Sequence, residues 1–322
     1  MKLQTGVSLP EYPFRLDHHT PVMLMGSCFT GNIGKQLERY LFPVTINPFG
    51  TIYNPLSVIR CLDALLEKEA YEAADLQQHN GLWFSFDHYT GFSSPDREQC
   101  LHHINTVFRP AREVLHNAGI LVITWGTAWV YRYRDPEQVV CNCHKIPASE
   151  FIRTRLTTKE IIKAHEAFLP RLFEINPDLK ILLTVSPVRH WKDGARGNQL
   201  SKASLLLATE ALEAIFPENV FYFPSYEIVM DELRDYRFYR EDMLHTNDTA
   251  TAYIWEKFRE VLVSPASQEI IRELEPIIRL FEHRPPDAEG DKYLQLIKRK
   301  KEMLADYKKR FPFLPWESLH AD

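Results

Sequence analysis

With 322 residues, 45% of them hydrophobic and 25% charged, the chain is long enough to bury one large core with at most a small appendage beside it. Its formal charge of −5 comes from interspersed acids and bases, and no basic run exceeds Lys298-Arg299-Lys300-Lys301, so a nucleic-acid partner is excluded. No stretch approaches the roughly 18 apolar residues of a membrane span, and MKLQTGVSLPEYPF lacks the apolar run of a signal peptide, which predicts a cytoplasmic protein with no membrane partner. Cysteines 28, 61, 100, 141 and 143 are odd in number, without a framework spacing, and read as reduced thiols.

Residues 1–20, with Pro10, Pro13 and the pair His18-His19, form an extended lead-in. Val22-Met23-Leu24-Met25 then makes an apolar run ending in Gly26-Ser27-Cys28. A helical pattern opens at Thr30, continues through Ile33, Leu37 and Tyr40-Leu41, and stops before Pro43. Val44-Thr45-Ile46 predicts a second strand, and the turn-rich loop from Asn47 through Gly50 to Pro55 follows it. Asn54 and Pro55 are an N-cap and a first-turn proline for a helix to about Lys68. Further on, Leu82 to Phe86 predicts a strand, Asp87-His88-Tyr89 a loop, and Pro95 to Asn117 a helix. Ile120-Leu121-Val122-Ile123-Thr124 is the clearest buried strand, an unbroken apolar run of the kind found in the middle of a parallel sheet, and Gly126 marks its end.

Alternation around Asp135-Pro136 predicts a β-hairpin excursion. The Cys141-x-Cys143-His144 cluster has no second ligand pair, so neither a metal nor another cofactor is expected. Thr157 and Glu160 form a capping box that opens a helix to about Glu174; the strand Leu179 to Val185 and the loop Ser186 to Trp191 come next. A helix from about Ser201 to Phe216, the strand Val220 to Phe223, and an Asn247-capped helix to about Val263 complete the pattern. Strand and helix alternate from 22 to 263, which predicts an α/β fold with a doubly wound parallel sheet in α/β/α layers. Residues 265–322, with the stripe Ile270-Ile271-Leu274-Ile277-Ile278-Leu280, a Pro285-Pro286 linker and a basic stretch from Tyr293 to Lys309, read as a helical extension for packing or homo-oligomerisation beside a catalytic domain of residues 1–264.

Two of these features carry chemistry. A buried strand feeding a sharp turn into a helix exposes a short side chain at the sheet edge, close to backbone N–H groups and the positive end of the helix dipole. Ser27 and Cys28 both occupy that turn. Asp242 and His245, three apart, can place carboxylate and imidazole on one side of the backbone, so that Asp orients His while His acts as base.

Together, Gly26-Ser27-Cys28-Phe29-Thr30 and Asp242-x-x-His245 resemble the GSCFA family, a branch of the SGNH (GDSL-like) hydrolase superfamily, over roughly residues 20–262. The resemblance implies an acyl-group enzyme that hydrolyses or transfers an ester, on a small molecule, a carbohydrate or a lipid, through a covalent intermediate. It makes Gly26 the glycine of the first block, Gly50 the oxyanion glycine of the second, Trp125-Gly126-Thr127 the start of the third, and Asp242 with His245 the fifth. An ungapped match to Gly-Asp-Ser favours Cys28 as the nucleophile, with Ser27 as the other candidate, and a helix start beside an imidazolium would lower a thiol pKa. Where the superfamily has Gly-x-Asn-Asp, this chain has Gly126-Thr127-Ala128-Trp129, so the oxyanion asparagine is missing. Asn47, Asn54 and the Thr127 hydroxyl are the candidate replacement donors, and Arg189 and His190 the candidate substrate contacts. A non-catalytic binding protein on the same fold is the alternative that the missing asparagine suggests.

Overall fold

In the computed structural model, residues 5–135, 137–283 and 291–319 are described, so Pro136 and the Pro285-Pro286 linker lie outside the described residues. In chain order the elements are β1 (Val22–Gly26), α1 (Cys28–Arg39), β2 (Val44–Ile46), α2 (Pro55–Glu67), β3 (Gln77–His79), β4 (Leu82–Phe84), α3 (Arg97–Asn117), β5 (Ile120–Trp125), β6 (Trp129–Arg134), β7 (Glu137–Val140), β8 (Phe151–Arg155) and α4 (Thr158–Ile175). After these come β9 (Lys180–Val185), α5 (Gly194–Ile215), β10 (Val220–Tyr222), the single turn α6 (Ser225–Glu227), α7 (Asp248–Leu262), α8 (Pro265–Glu282) and α9 (Asp291–Arg310).

Five strands form one all-parallel sheet in the order β10-β9-β5-β1-β2. Counted along the chain this is the 2-1-3-4-5 order of doubly wound folds, in which the winding reverses between β1 and β5. The apolar strands feed both faces because side chains alternate. Met23, Met25, Leu121, Ile123, Leu183 and Val185 pack on α2, α3, α4 and α5. Val22, Leu24, Ile120, Val122 and Leu182 pack on α1, α7 and α8. An α/β fold with helices on both faces of a parallel sheet is therefore what the sequence encodes.

Outside this frame, β6 carries β7 and β8 on either side as an antiparallel sheet, and β3 pairs with β4. The expected hairpin is thus two strands of a three-stranded sheet. Helix α5 begins at Gly194, seven residues before the expected start, since Gly194 and Gly197 disguise its first turn. Between β10 and α7 the chain forms α6, a π-helical turn at Ile228–Glu232 and a 3-10 turn at Tyr236–Phe238 and no continuous helix. Ile271, Leu274, Ile277 and Ile278 of α8 share one apolar cluster with Leu37 and Trp255, and Tyr307 and Trp316 join it. Four residues of the expected stripe in 265–322 are therefore buried by the chain itself, while Ile270 and Leu280 are half-buried.

Candidate active site

The site forms at the C-terminal edge of the sheet, where the winding reverses and where ligands of such folds bind. Gly26 ends β1 with φ +139°, and a Cβ there would lie 2.2 Å from the carbonyl oxygen of Thr124, so only glycine lets β1 pass this close to β5. Asn47, itself left-handed at φ +46°, accepts the Gly26 N–H at 2.9 Å through its Oδ1 and pins the strand end. Ser27 follows as the N-cap of α1, but its side chain caps nothing: its Oγ is buried and has no protein partner, while its N–H donates to Thr124 O at 3.1 Å. Cys28 takes the first helical position, half-buried, where no intrahelical acceptor exists for its N–H.

Ser27, Cys28, Asn54, Thr127, Arg189, His190 and His245 all line one cavity of about 450 Å³. His245 is brought there by a tight loop. The Asp242 Oδ1 accepts the N–H of Leu244 and of His245, both at 2.9 Å, and its Oδ2 meets His245 Nδ1 at 2.6 Å. These backbone N–H groups first, and then the His245 ring, hold the Asp242 carboxyl down to about 2. An Nδ1–H donated to the carboxylate leaves Nε2 as the basic nitrogen of the neutral ring.

The remaining candidates divide. Asn54, buried as the N-cap of α2, accepts the Ser57 N–H with Oδ1 and donates from Nδ2 to Ser57 Oγ, which leaves one amide hydrogen uncommitted in the cavity wall. The Thr127 hydroxyl accepts the N–H of Trp129 at 3.1 Å and lies 3.1 Å from Ser201 Oγ. Gly126 lies against the site without donating to it: its N–H is bound to Tyr53 O at 2.8 Å, and a Cβ there would sit 3.0 Å from His190 Nε2 and 3.4 Å from Ser27 Cβ. Burial brings His190 down to about 4, so that it is a neutral wall residue.

Three expectations are corrected here. Gly50 does not line the cavity and its N–H is spent on Asn47 O at 2.7 Å; its φ of +78° and the Tyr89 Cβ, 2.3 Å from where a Cβ would be, make it a turn glycine. Asn47 is likewise a brace, because its amide oxygen holds Gly26. The depressed thiol pKa expected of Cys28 is reversed. Burial pushes it above the ordinary value, and the N–H groups of Phe29 and Cys28 and the charges of Lys202 and Arg240, which favour a thiolate, do not outweigh that.

Lys202 is the main residue the sequence reading missed. It is 1% exposed, and its Nζ donates to Gly126 O and to Ser186 O, both at 2.6 Å, so it ties together the chain ends beyond β5 and β9 under the site. Burial, together with the nearby Arg189 charge, brings its amine down to about 7. A signal was present: Lys202 is in helical phase with Asn198, Ser201, Leu205, Ala208 and Leu212, the buried face of α5. On the opposite rim, Arg153 stacks 4.2 Å over Trp129, pairs with Asp193, and shares the cavity with Tyr53, Tyr131 and Trp191. Among the described residues no group of three or more His, Cys, Asp or Glu is arranged to hold a metal, and His144 stacks on Phe84 with its Nε2 3.0 Å from Ser85 O. Nor is any helix among them long and apolar enough to cross a membrane.

A parallel sheet with a Gly-Ser-Cys turn at its switch point and an Asp-His pair across the cavity defines the class of α/β proteins to which this chain conforms. The chain belongs to the GSCFA family, whose family model matches residues 21–258. No curated relative matches it. One similar solved structure is a carbohydrate esterase family 3 protein from Talaromyces cellulolyticus, at 12% identity over 81% of this chain and 98% of that one, with a TM-score of 0.30.

Proposed function

We propose that the protein is an SGNH-like acyl-group enzyme that hydrolyses or transfers an ester, with Cys28 as nucleophile, His245 as base and Asp242 as its orienter. The observation that carries this reading is the lining of one cavity by Ser27, Cys28 and an Asp242-bonded His245. Cys28 is favoured over Ser27 by backbone accounting. A nucleophile at this turn uses its own N–H for the oxyanion, and the Ser27 N–H is already bound to Thr124 O whereas that of Cys28 begins a helix.

In the reaction the Cys28 Sγ attacks the ester carbonyl and its proton passes to His245 Nε2. The N–H of Cys28 and the remaining amide hydrogen of Asn54 take the developing oxyanion. His245 then gives the proton to the departing alkoxide, and a thioester remains on Cys28. Water or an acceptor alcohol, deprotonated by the same imidazole, releases the acyl group. A thiol kept neutral by burial suits this sequence, since attack and proton transfer to His245 then occur together.

A second reading is favoured by the same raised thiol and by the loss of Gly50 as a donor: a binding protein without turnover. The two separate on treatment of the protein with an activated ester or a fluorophosphonate. Covalent capture lost in Cys28→Ala and His245→Ala, and retained in Ser27→Ala, is the expected result. Capture that survives Cys28→Ala but not Ser27→Ala transfers the role to Ser27, and no capture by any form sinks the enzyme reading.

A further inference from the structure

A second cavity, of about 570 Å³, adjoins the first. Both are lined by Arg189 and Trp191, and the Asp242–His245 pair stands between them, with His245 facing the first and Asp242 the second. Their chemistry differs. Both carry aromatic rings and charged groups, but the second adds a patch of Val229, Met230, Leu233, Met243 and Leu244, where the first has only Val140 and Val188 as aliphatic side chains. At its mouth Tyr236 is 75% exposed and Met243 51%, and Trp191, also exposed, forms the ridge shared with the first cavity. Large apolar side chains left open to water around a concave apolar surface mark a binding site.

The Arg189 guanidinium lies at the junction. Its Nε is buried and has no protein acceptor, and its charge is 5.6 Å from the Trp191 ring centroid. A buried donor of this kind calls for an oxygen on whatever crosses the ridge.

We infer that the second cavity holds the acyl chain of the substrate, an unbranched aliphatic chain several carbons long. Its carbonyl oxygen faces the Cys28 N–H and Asn54, its alkoxy oxygen lies on the Arg189 side, and its alcohol part occupies the cavity that holds Ser27 and Cys28. This inference rests on the acyl-group reading of the site. The argument for an acyl chain is continuity: an ester positioned at Cys28 has its two sides pointing away from the carbonyl, and the polar, aromatic cavity takes the alcohol side. The cavity with the aliphatic patch, across the Arg189–Trp191 ridge, remains for the other. Each methylene that leaves water for it favours binding about fourfold.

The test is kcat/KM for p-nitrophenyl acetate, butyrate and hexanoate, and calorimetric binding of decanoate, with the wild-type chain and with Met230→Trp and Tyr236→Asp. Met230→Trp narrows the cavity, and Tyr236→Asp puts a charge at an exposed position that tolerates it if the first variant fails to fold. The expected result is a rise of about fourfold per methylene in the wild type, a hexanoate-to-acetate ratio at least tenfold lower in the variants, and decanoate binding weakened in parallel. Turnover that is equal for acetate and hexanoate, with no decanoate binding, overturns the inference and leaves the enzyme reading in place. Decanoate binding that Tyr236→Asp weakens, without turnover of any ester, keeps the chain site and removes the enzyme reading. If Tyr236→Asp instead abolishes a dimer seen by light scattering while chain length has no effect, the cavity is a self-association surface and the inference fails.

Discussion

At the scale of the residue, the chemistry is set by where hydrogen bonds are already committed and by which charges are out of water. Lys202 shows both. Its neutral amine keeps two N–H bonds, enough for Gly126 O and Ser186 O, so these contacts survive loss of its charge. With a folded pKa near 7 against an ordinary 10.5, the unfolded chain binds more protons than the folded one between those values, and stability rises with pH across that window. In Lys202→Met this rise should be flatter by on the order of 4 kcal/mol in denaturant unfolding from pH 7 to 10. The two orphaned carbonyls should also cost about 1–3 kcal/mol each. For Cys28 the raised thiol predicts that iodoacetamide labels it slowly at neutral pH, at a rate that climbs only above the free-thiol value of about 8.5. In Arg240→Gln, which removes one of the charges favouring the thiolate, the labelling curve should move higher still; labelling that is complete within minutes at pH 7 contradicts this account.

At the scale of the element, two glycines at the start of the chain make opposite predictions. Gly26 ends β1 where a Cβ would collide with Thr124 O, so Gly26→Ala should destabilise the protein by on the order of 3 kcal/mol or more. Gly31 lies inside α1 with nothing within 4 Å of a Cβ, so Gly31→Ala should stabilise it by about 0.5–1 kcal/mol through helix propensity. Thermal melts of the two variants check both signs at once. Strands β1, β5 and β9 were legible because both faces are covered and their sequences are apolar almost throughout. Strand β8 was not. Phe-Ile-Arg-Thr-Arg at 151–155 has only one buried residue, and it is held as a strand by pairing with β6, a contact no local pattern announces.

At the scale of the whole molecule, the histidines buried neutral dominate the response to acid. His18, His88, His144, His165 and His190 are each brought down to about 4, chiefly by burial. A lowered histidine pKa means that the unfolded chain takes up protons first as pH falls. Stability is therefore full above about 6.5 and is lost between about 6.5 and 4. His165 alone, with Nδ1 2.8 Å from Ile161 O and no partner on Nε2, accounts for about 3 kcal/mol of that loss. The denaturation midpoint should therefore fall steeply from pH 6.5 to 4.5, and His165→Gln should have a shallower profile than the wild type. Truncation after residue 264 is a second test at this scale. It would bare the face of α1 and α7 that Ile271, Leu274, Ile277 and Ile278 cover, and the shortened chain should aggregate or lose its cooperative melt.

The sequence alone determined the architecture and the places to look. Strand periodicity, capping boxes and turn residues act over a few positions, so the alternation that builds the sheet, the Gly26-Ser27-Cys28 turn and the Asp242–His245 spacing could all be read without coordinates. Tertiary structure decided which of those residues are free to act. Asn47 and Gly50 are withdrawn because the Asn47 amide oxygen holds the end of β1 and the Gly50 N–H is bound to Asn47 O. Cys28 loses its expected acidity because burial by distant segments outweighs the helix start, and Lys202 enters because the ends of β5 and β9 meet above α5. Hydrogen-bond commitment and desolvation depend on groups brought together from across the chain. No local pattern encodes them, and they separate a candidate site from a list of candidate residues.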